Sequence, residues 1–148
     1  MKNFSLKKIS FTKAVIIVSV LFLLLLNLSL KHWTQEKRVI QHDIISYYGY
    51  LPAAFIYDDI TLKFRYTYKG DKKFVVYGKK AKNGYVIKMT YGTAALYSPF
   101  FFAGHLYAKT FGYNTGGYSE PYKFALIISS LFYLTIGLIF IRRVLLKF

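Results

Sequence analysis

The strongest constraint on this chain is residues 14–30, AVIIVSVLFLLLLNLSL, a run without charge, glycine or proline. At about 1.5 Å of rise per residue it covers most of a ~30 Å hydrocarbon layer, and Phe11 and Thr12 extend it. A cleaved leader would carry a shorter apolar stretch and a small-residue cleavage site. Here the run ends Leu28-Ser29-Leu30-Lys31, which reads as an uncleaved anchor. A second run, residues 122–141 (YKFALIISSLFYLTIGLIFI), follows Ser119-Glu120-Pro121 and stops at Arg142-Arg143. The hydroxyl, first-turn acid and proline form a helix-start signature. Tyr122 and Lys123 suit the headgroup belt, where side chains with an apolar body and a polar tip collect.

The predicted fold class is therefore membrane α-helical. Two transmembrane helices flank an extracytoplasmic segment that carries interfacial helices and a small β-hairpin. Orientation follows from the basic residues. Residues 1–13 hold four Lys and 142–148 hold three basic residues, whereas 31–123 hold fourteen over a much longer stretch. Cationic ends stay inside while long loops translocate largely regardless of charge. Both termini are thus expected in the cytoplasm, and 31–121 outside it, as in a bacterial inner membrane.

The formal charge of +15 demands an anionic partner or surface. With the loop outside the cytoplasm that partner is membrane lipid or an anionic polymer, not nucleic acid. Cysteine is absent, which removes disulfides, thiolate nucleophiles and cysteine zinc sites. No zinc spacing, phosphate-binding glycine loop or nucleophile elbow occurs; the cofactor is left unknown, with a divalent metal possible, for instance at Asp58-Asp59, but not indicated. Hydrophobic residues reach 55%, against about 45–50% in soluble domains. They lie in blocks, so the polar remainder is not expected to build a compact core unaided.

Within the loop, residues 43–57 are expected to form an interfacial helix kinked or ended at Pro52. Ile44, Ile45, Tyr48 and Leu51 share one face; Asp43, Ser46, Tyr47 and Tyr50 share another. Residues 60–91 are the strand and hairpin region. Ile60, Leu62, Phe64, Tyr66 and Tyr68 alternate with Thr61, Lys63, Arg65 and Thr67, the period of a half-buried strand. Gly70-Asp71 is a turn, and 74–77 are expected to pair with 85–89 around a Lys-rich connection closing at Asn83-Gly84. Residues 92–111 (GTAALYSPFFFAGHLYAKTF) carry Pro99, His105 and Lys109 and are read as an interfacial or re-entrant helix, not a third span. GYNTGG at 112–117 is a turn.

The order of an anchor, HDIISYYGYLPAAFIYDD, KMTYGTAALYSPFFFAGHLYA and GYSEPYKFALIISSLFYLTIGL resembles the amino-terminal region of bacterial C-superfamily glycosyltransferases. These multi-spanning enzymes include protein-mannosyltransferase-like and aminoarabinose-transferase-like members. The resemblance implies transfer of sugar from a polyprenyl-phosphate donor to an acceptor at the membrane surface. It implies Asp43 as the catalytic base, Tyr47 and Tyr50 against a sugar face, and Asp58, Asp59, Lys88 and His105 as further substrate contacts. The family has many spans and this chain shows two, so other membrane subunits or further spans are expected to complete the site. Each residue also has a plainer role. Asp43 would cap its helix, Asp58-Asp59 would end one element and open the next, and His42 and His105 would pack at the interface. The competing function is a non-catalytic membrane-anchored protein presenting a basic segment to lipid, cell-wall polymer or a partner protein.

Overall fold

The computed structural model describes residues 11–35, 38–66 and 79–147. It is mostly helical, with one small antiparallel sheet. The helices are α1 (Phe11–Leu30), α2 (Asp43–Tyr48), α3 (Tyr50–Phe55), α4 (Gly92–Thr110) and α5 (Glu120–Leu145), and the sheet pairs β1 (Lys79–Ala81) with β2 (Gly84–Val86). Contacts divide the chain into two compact units: Lys31–Ser129, and the residues before and after that segment. Only α1 and α5 are long and apolar enough to cross a membrane among the described residues.

In the flanking unit α1 and the second half of α5 run antiparallel. The Arg142 Nε donates to Thr12 Oγ1 at 2.7 Å, which joins the end of one helix to the start of the other. Most large side chains of α1 are exposed, Phe22 and Leu25 among them.

Lys31–Ser129 has its own core, contrary to the expectation from composition. Ile40, Ile45, Tyr48 and Leu51 pack with Ala94, Phe101 and Ala108 of α4 and with Tyr122 and Leu126 of α5. On α4, positions 94, 101, 104 and 108 turn to one side, as a 3.6-residue period requires. Gly104 is needed there: an added Cβ would sit 3.1 Å from Ala125 Cβ and 3.2 Å from the Pro121 carbonyl. The opposite side leaves Leu96, Phe102 and Leu106 exposed. Pro99 lacks the N–H that would bond Ala95, and the Ser98 hydroxyl donates to that carbonyl at 2.7 Å instead.

Several expectations are corrected. The helix expected over 43–57 breaks at Gly49, and Pro52 sits in the first turn of α3, where no N–H is needed. Its buried face includes Ser46, while Ile44 is exposed. The alternation at 60–66 does not make a strand; residues Lys63–Tyr66 form a 3-10 turn. Leu62 has φ +60°, and the Asp59 carboxylate takes the amides of Thr61 (3.0 Å) and Phe64 (2.8 Å), which curls the chain. Leu62 and Phe64 are buried with Ala53 and Ile87, whereas Ile60 and Tyr66 are exposed. The hairpin is tighter than expected. Lys79 and Lys80 lie within β1, Ala81 pairs with Gly84, and Lys82-Asn83 form the two-residue loop. The partner expected at 74–77 and the turn at Gly70-Asp71 lie outside the described residues. Ser119 does not cap α5 with its hydroxyl, which donates to the Asn114 carbonyl at 2.6 Å. Lys123 is buried, its Nζ donating to the Gln35 carbonyl at 3.0 Å, beside the edge-on pair Trp33–Phe124. Tyr122 is buried too.

Candidate functional site

Asp43 is the first helical residue of α2 and is exposed. The capping role is not found. The amide of Ile44 donates to the Gln41 carbonyl (3.2 Å) and that of Ile45 to the His42 carbonyl (3.3 Å), so backbone groups satisfy the first donors. The Asp43 carboxylate has no hydrogen bond or ion pair among the described residues. The preceding His42 has φ +50° and ψ −132°, a conformation that L residues adopt only when the surroundings impose it. Behind Asp43, Ile45 and Tyr48 anchor α2 in the core, so the carboxylate stands on a fixed support.

Tyr47 is half-buried on α2. The Tyr50 phenol donates to the Met89 carbonyl at 2.6 Å, and its ring lies edge-on to Tyr91 at 5.6 Å. This brings α3 to the segment that contains Lys88, whose own side chain is exposed. Asp58 is exposed with φ +47°, a left-handed position that Asp tolerates; it lies past the end of α3, whose C-cap is Ile56. Asp59 opens the following turn, and the Thr61 hydroxyl, then the backbone amides it accepts, hold its carboxyl below the usual aspartate range. His105 is half-buried on α4, its Nδ1 2.6 Å from the Tyr122 hydroxyl. No hydrogen bond or ion pair joins Asp43 to Asp58, Asp59, Lys88 or His105 among the described residues. Nor do three His, Asp or Glu gather there as a metal cluster.

The sequence reading missed a cluster of tyrosines on the GYNTGG loop. Three successive carbonyls each accept a phenol from a different part of the chain. Thr115 takes Tyr122 of α5 at 3.1 Å, Gly116 takes Tyr57 at 3.0 Å, and Gly117 takes the buried Tyr48 of α2. Asn114 closes the loop, its side-chain oxygen accepting the Gly116 amide at 2.8 Å. Gly117 lies at φ +90°, with Pro52 and Ile56 packed where a side chain would project. The only signal in the sequence was the pair of glycines beside an unusual density of Tyr.

No protein-family model matches the chain, and no curated protein or solved structure is similar to it.

Proposed function

We propose that the chain is the amino-terminal portion of a glycosyltransferase-like integral membrane protein. In this reading α1 and α5 cross the bilayer with both chain ends in the cytoplasm, and Lys31–Ser129 faces the other side. Asp43 takes the proton from an acceptor hydroxyl or amine. The acceptor atom attacks the anomeric carbon, the bond to the polyprenyl phosphate breaks, and the phosphate leaves with the electron pair. The state of Asp43 is the main support: an exposed carboxylate, committed to no structural bond among the described residues, on a helix held by the core. A base must keep its lone pair free for the substrate. The exposed Leu96, Phe102 and Leu106 of α4 favour a position against lipid, where a polyprenyl donor would be met.

A second reading, a non-catalytic anchored module, is favoured by a different observation. Tyr50, Asp59 and His105 are each committed to a bond inside the protein, while Lys79, Lys80, Lys82 and Lys88 remain exposed. They would serve as a basic surface for lipid or anionic polymer.

Membranes bearing the chain within its complete reading frame, supplied with radiolabelled polyprenyl-phosphate sugar, separate the two. Asp43→Asn is expected to lower transfer by about 10²–10⁴-fold while insertion is retained. Insertion is followed with an impermeant thiol reagent on intact cells, which should label a cysteine at Lys82 and not one at Lys147. Wild-type transfer by Asp43→Asn removes the catalytic assignment of Asp43, and no transfer by the unaltered protein favours the second reading.

A further inference from the structure

Between α1 and the second half of α5 lies a groove of about 530 Å³. Its wall is apolar over most of its length, with Ile16, Val20 and Ile139 among its lining, and Lys13, Arg142 and Arg143 line it at one end. These cations have no acidic side chain nearby in sequence: all six Asp and Glu lie between residues 36 and 120, so none falls within this unit. Arg142 is turned across the helix pair by its bond to Thr12 Oγ1, and the Arg143 guanidinium lies 5.9 Å from the centre of the Phe140 ring.

We propose that this groove is a binding site for an anionic glycerophospholipid. One acyl chain lies along Ile16, Val20 and Ile139, and the headgroup phosphate is held by Lys13, Arg142 and Arg143. The chemistry is complementary at both ends. Three cations at one mouth would repel one another and draw in an anion, and guanidinium and ammonium donors suit phosphate oxygens. A free phosphate would satisfy the rim but leave the apolar wall uncovered; a neutral lipid would cover the wall but leave the cations uncompensated. An anionic lipid does both. The site rests on the reading that α1 and α5 span a bilayer, and on nothing about catalysis.

The test uses the full chain in proteoliposomes containing phosphatidylcholine with a trace of photoreactive lipid, diazirine-labelled in the acyl chain. The probe is either phosphatidylglycerol or phosphatidylcholine, and adducts are mapped by mass spectrometry. Adducts on Phe22 and Leu25, exposed and outside the groove, report the bulk lipid. The expected result is an excess of phosphatidylglycerol over phosphatidylcholine on groove residues, on the order of fivefold or more for cationic contacts of this kind. The excess disappears in the variant combining Lys13→Gln, Arg142→Gln and Arg143→Gln, which still gives adducts on Phe22 and Leu25. Equal labelling of the groove by the two lipids overturns the inference and leaves the spanning helices standing. Cross-links to a second copy in place of lipid adducts also overturn it. An absence of acyl adducts from both helices with either lipid overturns the spanning reading itself.

Discussion

Replacing Gly117 by alanine puts two independent costs on one residue, and the structure supplies a control for one of them. The backbone at Gly117 has φ +90°, and holding an L side chain in that half of conformational space costs about 1–2 kcal/mol. The new Cβ would stand 2.8 Å from Pro52 Cβ and 3.2 Å from Ile56 Cδ1. The proline ring cannot swing aside, so α3 must shift, and overpacking of this kind costs about 1–3 kcal/mol. Alanine also narrows the unfolded ensemble, which offsets roughly 0.4–1 kcal/mol. The net loss is about 1–4.5 kcal/mol. Gly112 has a similar backbone, φ +73°, but open space where its Cβ would lie, so Gly112→Ala should show the first cost alone. The assay is hydrogen exchange in micelles, followed at the Gly49 amide, which bonds the Ile45 carbonyl at 2.8 Å in the adjoining core. Gly117→Ala should speed its exchange by about 5- to 1600-fold, since 1.4 kcal/mol is tenfold. Equal effects of Gly117→Ala and Gly112→Ala would show that Pro52 does not confine this loop.

Two further outcomes are expected. Tyr48→Phe removes the phenol that donates to the buried Gly117 carbonyl while keeping the ring, and should cost about 1–3 kcal/mol in the same exchange measurement; an unchanged rate would mean that the phenol contributes nothing to the clasp. The Asp59 carboxyl, held down chiefly by the Thr61 hydroxyl, should titrate below the ordinary value of 3.8. A depressed pKa stabilises the fold above the unfolded value, and the contribution is lost as pH falls through the folded one, so the turn at Lys63–Tyr66 should loosen only below about pH 4. The Phe64 amide resonance reports this, and a midpoint at or above 3.8, or the same titration in Asp59→Asn, would contradict it.

The parts of the fold that were legible in the sequence are those governed by composition over a long window. Residues 14–30 and 122–141 are apolar throughout, and α1 and α5 cover them. α4 was legible as a helix despite Pro99, although nothing in the sequence pointed to the Ser98 hydroxyl taking over the Ala95 carbonyl. The failures come from choices made by single side chains. Alternation at 60–66 was real, but the Asp59 carboxylate offered the chain a tighter path than a strand. The core of Lys31–Ser129 was missed because its contacts are made by residues far apart: Tyr48 and Gly117 are separated by 69 positions. Small residues such as Gly104 and Ala108 also contribute by letting helices approach, which no hydropathy scale registers. The burial of Lys123 was not legible for the same reason, since an ammonium on a backbone carbonyl depends on where Gln35 lies. At the candidate site the sequence pointed to Asp43 as a carboxylate but not to its freedom, which is decided by the Gln41 and His42 carbonyls.

The tyrosine clasp has a consequence for how this protein is handled at the bench. A phenol is an uncharged donor, and a neutral hydrogen bond is hardly screened by dissolved ions. A segment dense in lysine would ordinarily be expected to change shape between dilute buffer and concentrated salt. Here the distant Tyr48 and Tyr57 and the nearby Tyr122 are bound to Gly117, Gly116 and Thr115 without a single formal charge. Sodium chloride can therefore serve as an instrument: a ligand that it elutes from this segment was held by the exposed lysines, because the phenol clasp beneath them does not depend on ionic strength.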